Sequence, residues 1–142
     1  MKPETTPGLS IRQPWAELVI SGRKPIEIRS WSTRYRGRIW IHAAQHVDQQ
    51  LDERYGLSSL FRGGFIGSAE LTSIEPFDSK RWESWKHRHL DEGPYKIGLF
   101  AWILVHPRRF NSPIQAPGQT NLFPLDHALL QILIDADLSA IS

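Results

Sequence analysis

The apolar positions change period several times along the chain. Leu9 and Ile11 sit two apart, which is strand spacing. Pro14 followed by Trp15, Leu18 and Val19, with Gly22 as a stop, predicts a two-turn helix. Pro25 prevents that helix from continuing, and Ile26 and Ile28 then alternate with Glu27 and Arg29, a strand whose charges share one face. Ser, Thr and Gly mark residues 30–37 as a loop. After it Ile39 and Ile41 face opposite to Arg38, Trp40 and His42 in another strand. Val47, Leu51 and Tyr55 recur at four-residue spacing, the stripe of a short helix ending near Gly56.

A glycine-led alternation predicts a strand from Gly63 to Pro76. Asp78 then caps a helix that brings Trp82, Trp85 and His89 near one another. The apolar run of residues 95–107 reads as a central strand, buried on both faces and stopped by Pro107. Residues 107–121 read as a proline- and glycine-rich connection with one extended stretch, and residues 126–139 as a C-terminal helix with Asp126 as its cap. Strands outnumber long crossover helices, so the pattern favours an α+β fold, a small mixed β-barrel flanked by short helices, over a doubly wound parallel sheet.

The 142 residues suit one domain over the whole chain, with residues 1–7 a flexible N-terminus. Cysteine is absent, which removes disulfides, thiol nucleophiles and thiolate metal sites. The N-terminal residues carry no apolar run and no stretch approaches membrane-spanning length, so a cytoplasmic location without a membrane partner is expected. The net charge of +2 conceals an asymmetry: residues 1–40 hold eight Lys or Arg against three Glu, and residues 41–142 hold nine against twelve acids. A local basic excess of that kind attracts polyanions.

That excess coincides with the sharpest cluster of functional groups. Lys24, Glu27 and Arg29 lie close together and are explained either as a structural ion pair or as a cleft in which lysine stabilises negative charge and a carboxylate activates water. Trp31, Tyr35, Arg34, Arg36 and Arg38 mix flat rings with guanidinium groups, a composition suited to unpaired bases and phosphates, although Trp40 in a strand is better read as packing. His42 with His46, and His87 with His89, lack a third ligand, so no metal or other cofactor is expected. No G-x-S-x-G and no glycine-rich phosphate loop occurs, and no serine has a histidine partner that spacing reveals.

Four stretches in order, "LSIRQPWAELVISGRKPIEIRSW", "YRGRIWIHAA", "GFIGSAELTSIEPF" and "FAWILVHPRRFNSPIQAPGQTNLFPL", resemble the ASCH family of the PUA-like superfamily. The forms "QPWA", "RSW" and "YRGR" are most similar to ASCH domains of transcription coactivators. The resemblance implies a small PUA-like β-barrel whose G-x-K-x-x-E-x-R segment lines a cleft, here Lys24, Glu27 and Arg29. By their motifs Gln13, Trp15, Tyr35, Arg36 and Gly37 join that lining. It implies nucleic-acid binding, RNA favoured over DNA. The alternative is a hydrolase, similar to N4-acetylcytidine amidohydrolases or a ribonuclease, with Lys24, Glu27 and Glu70 as catalytic candidates. Glu27 departs from the amidohydrolase pattern, which has threonine at that position. The C-terminal helix, apolar around much of its circumference, is a candidate protein-partner surface.

Overall fold

The structure, a computed structural model, describes residues 6–141. Among these, six strands form one mixed sheet, bent into a half-barrel. They are β1 (Gly8–Ile11), β2 (Ile26–Arg29), β3 (Gly37–Ala43), β4 (Gly64–Pro76), β5 (Phe100–Gln115) and β6 (Leu122–Phe123), in the order β2-β5-β4-β3-β1-β6. Of the pairings among the described residues only β1–β3 is parallel, so the α+β reading holds. β4 and β5 carry three register shifts against each other, and such bulges increase the twist that curls the sheet.

Three cores hold the fold. The first lies beneath α1 (Trp15–Ile20), where Leu9, Ile11, Ile39, Ile41, Leu71 and Trp102 are buried against Ala16, Val19 and Ile20. The second joins Trp40, Phe65, Phe110 and Phe123 to Leu130 and Leu133 of α5 (His127–Ile141). Asp126 Oδ1 accepts from the Leu129 N–H at 2.8 Å, while Ile132 and Ile141 on the outer side of α5 stay exposed. The third core packs Ile26 and Ala101 against Phe77 and Trp82. A short helix α2 (Gln49–Arg54), capped by Asp48, lies between β3 and β4 in the chain.

Two expectations need correction. Pro107 does not stop the strand: β5 runs on to Gln115, and Ser68 pairs with Arg108 while Glu70 pairs with Val105. His106 and Pro107 therefore sit in a bulge, with His106 at φ 49°, where a missing amide donor costs no ladder bond. The helix expected after Asp78 is two pieces, α3 (Ser79–Ser84) and α4 (Lys86–His89), joined at Trp85. The break turns both Trp82 and His89 inward, with ring centroids 4.3 Å apart. The flexible N-terminus falls mostly outside the described residues; within them Thr6 is buried and the Pro7 carbonyl accepts from Trp40 N–H at 2.9 Å.

Candidate nucleic-acid interface

β2 ends the sheet on one side and β1 lies near the other, so an opening remains where the half-barrel does not close. A cleft of about 650 Å³ occupies it. Its lining comes from Ser10 of β1, Arg12 and Trp15 at the start of α1, from Lys24 and residues 27–31, from His89 and Asp91, and from Gln119, Thr120 and Asn121. The period-two spacing of β2 decides what enters. Ile26 is buried in the third core and Ile28 packs partly against it while also touching the cleft, and Glu27 and Arg29 face the cleft.

Lys24 follows the exposed turn after α1 and is itself almost inaccessible. Its Nζ donates to the carbonyls of Ile26 at 2.7 Å and His89 at 2.6 Å, and lies 3.5 Å from Glu27 Oε1. The ring of Trp15 sits 5.2 Å away. Burial pushes the Lys24 ammonium below its ordinary value, and the Glu27 carboxylate opposes that shift. An ammonium has three protons, and these three acceptors account for them. Lys24 therefore anchors the wall, tying α4 to β2, rather than offering a free charge.

Arg29 Nη2 donates to Glu27 Oε2 at 2.9 Å and to the Ser10 carbonyl at 3.0 Å, which bridges the two sides of the opening. The Arg29 Nε–H is buried and without a partner among the described residues. Arg12 projects at the lip, exposed, with no ion pair among the described residues.

The remaining candidate residues are dispersed. Trp31 lines the cleft, edge-on to Trp102 at 4.7 Å. Gln13 does not line the cleft: it is buried, bridging Phe61 O and the Glu17 N–H across the start of α1, and borders a separate hollow with Glu17, Phe61 and Arg109. Tyr35 donates to the Arg38 carbonyl, and Gly37 takes φ 125°, a conformation that favours glycine. Arg34 is exposed, and Arg36 donates to the Thr33 and Tyr35 carbonyls of its own loop. The structure does not bring Arg38 to the cleft: it reaches Ser68 Oγ and the His106 carbonyl, towards α5. Nor does it bring Glu70, which stands opposite Arg38 on β4, 3.5 Å from His106 Nδ1.

One pair escaped the sequence reading. Ser10 on β1 and His42 on β3 are register partners, and Ser10 Oγ lies 3.0 Å from His42 Nδ1. His42 Nε2 lies 2.8 Å from the Ala116 carbonyl. No local spacing signals this pair, because a parallel pairing across an intervening helix and strand creates it. The signal in the sequence was weaker: both residues stand at polar positions of apolar alternations.

Burial lowers the His42 pKa from its ordinary value of 6.5, and does the same for His89, whose Nε2 donates to Trp82 O. Each unfolded imidazole therefore binds a proton at a higher pH than its folded counterpart, so unfolding takes up protons and acid favours the unfolded chain. Stability is complete above about pH 6.5 and declines as the pH falls through that value towards the lower folded one. Thermal melts at several pH values should show this decline, and the His42→Gln variant should show a shallower one. An identical pH slope in that variant would remove His42 from the account.

Comparison with known proteins agrees with the fold. The chain is similar to activating signal cointegrator 1 of Homo sapiens, 27% identical over 132 residues, which cover 87% of this chain and 23% of that protein. The Mus musculus protein of the same name is 26% identical over the same length and coverage. The chain thus spans about a quarter of the length of the curated relatives it matches. Among solved structures it is similar to ASCH from Zymomonas mobilis, with a TM-score of 0.66 and 21% identity, covering 93% of this chain and 95% of that one. A mutant form of the same protein gives a TM-score of 0.66, covering 92% and 97%. These structures share the fold, and the sequence pattern of the ASCH domain matches residues 9–114. The chain belongs to the ASCH domain family.

Proposed function

We propose that this domain binds nucleic acid, with RNA or single-stranded segments favoured, by admitting one unpaired nucleotide to the cleft. The ASCH domain has a PUA-like fold associated with RNA binding. The observation that carries the reading is the cleft itself: about 650 Å³, within the range of small-ligand sites, with Trp15 and Trp31 in its walls and the exposed Arg12 at its lip. The two rings offer stacking faces to a base, which is sequence-tolerant. Glu27 and Arg29 present an acceptor and a donor to the base edge. Arg12 meets phosphate, and Arg34 and Arg36 extend the positive surface along the adjoining loop.

The hydrolase alternative is narrower than the motif implies, because Glu70 stands away from the cleft and Lys24 is committed to two carbonyls and Glu27. Glu27 remains to it as the carboxylate paired with that lysine.

Fluorescence anisotropy with a labelled single-stranded RNA, its DNA counterpart and a duplex tests the binding reading. Single-stranded RNA should bind more tightly than the duplex, and affinity should fall as salt rises. The Arg12→Ala/Arg34→Ala double variant should bind several-fold more weakly, with a log–log salt slope lower by roughly 0.7 for each phosphate that is no longer neutralised. Unchanged affinity and slope, or a preference for duplex, would reject this reading.

A further inference from the structure

We propose that Ser10 and His42 form a serine–imidazole centre in the cleft that takes the acyl group of short-chain carboxylic esters. Ser10 lines the cleft, and its Oγ lies 3.0 Å from His42 Nδ1, a distance at which an imidazole activates a serine. The tautomer follows from the other nitrogen. The Ala116 carbonyl, 2.8 Å from Nε2, can only accept, so Nε2 carries the proton and the Nδ1 lone pair faces the serine hydroxyl. A backbone carbonyl thus holds the orienting place that a carboxylate has in a Ser–His–Asp triad.

The surroundings suit such a base. Phe65 and Phe123 stand edge-on to the imidazole, at 5.0 and 6.4 Å between ring centroids. No charged group of the described residues touches it, and burial favours its neutral form. The loop after Ala116 lies directly on the pair. A Cβ built on Gly118 would stand 2.6 Å from His42 Cε1 and 3.1 Å from Ser10 Oγ, so this close approach needs glycine. The next residues, Gln119, Thr120 and Asn121, form a wall of the cleft with side-chain donors that have no partner among the described residues. With Arg12 they are the groups that can meet a developing oxyanion.

In the first step Ser10 Oγ bonds to the ester carbonyl carbon and its proton passes to His42 Nδ1. The carbon–oxygen bond to the alcohol then breaks, and the leaving oxygen takes that proton, giving an acyl-serine. Water next attacks the acyl carbon and gives a proton to Nδ1. The bond to Oγ breaks, Oγ takes the proton back, and the carboxylic acid leaves. Water is the only co-reactant. Turnover should be slow, because the carbonyl partner supplies no negative charge to support the imidazolium.

The test treats the whole chain with a fluorophosphonate and, separately, with p-nitrophenyl acetate, followed by intact-mass measurement and peptide mapping. A single adduct on Ser10 is expected, absent in Ser10→Ala, with formation about a hundredfold slower in His42→Gln. No adduct on Ser10, or one formed at an equal rate in a folded His42→Gln, would overturn the proposal. Should His42→Gln fail to fold, Ser10→Cys gives an independent measurement: its thiol should react with iodoacetamide at neutral pH faster than free cysteine, and an equal or slower rate would also overturn it. Labelling is read without nucleic acid, so its failure leaves the binding reading standing.

Discussion

Replacing Lys24 by alanine should lower stability by about 3–5 kcal/mol and the melting temperature by roughly 10–20 °C. The effect is large for three reasons. The Ile26 and His89 carbonyls lose a buried donor together, and Glu27 keeps only Arg29 as an ion-pair partner among the described residues. α4 also loses its tie to β2. A methionine of similar length tells pairing apart from packing. Lys24→Met should melt higher than Lys24→Ala and below the parent, since it refills the space but restores neither the donor nor the charge. A Lys24→Ala protein melting within about 2 °C of the parent would show that the anchor is dispensable. A fall in ligand affinity in any Lys24 variant therefore needs a melt beside it before it is read as a direct effect on binding.

The second large effect is expected at Asp137. This buried carboxylate on α5 receives Arg108 through both oxygens and the Ser68 hydroxyl at 3.0 Å. Arg38 reaches the same Ser68, and its guanidinium is held below its ordinary value, first by burial and then by Arg108. Asp137→Ala would leave two guanidinium groups adjacent without the carboxylate between them. We expect a loss of about 2–4 kcal/mol. Amide exchange should quicken along α5 more than in β4. Asp137→Asn, which still accepts from Ser68, should lose less. Equal exchange along α5 in the parent and Asp137→Ala would contradict this role for the network.

The cleft was legible where one strand carries it and obscure where two elements meet. "PIEIR" places Glu27 and Arg29 on one face through spacing alone, and β2 does so. Arg38 reads in sequence as one of three basic residues on a rim. Its actual neighbours, Ser68 and the Arg108–Asp137 pair, are far along the chain, and register cannot be read from one strand. Ser10 and His42 were hidden for the same reason. Pro107 misled because a proline in an apolar run signals an end, whereas a bulge between β4 and β5 removes the need for its amide. The tryptophan stripe after Asp78 was recognisable as buried, but the break at Trp85 that turns His89 towards Lys24 left no mark in the periodicity.

A half-barrel that stays open to admit a ligand also leaves β2 as a terminal strand, and free edges invite other chains to add to the sheet. This edge is a poor template. It is four residues long, follows Pro25, and carries Glu27 and Arg29, with Arg29 already spanning to the Ser10 carbonyl. The charges that shape the cleft thus also guard against edge-to-edge aggregation, so an Arg29→Val or Glu27→Val change would trade an ion pair for a stickier protein.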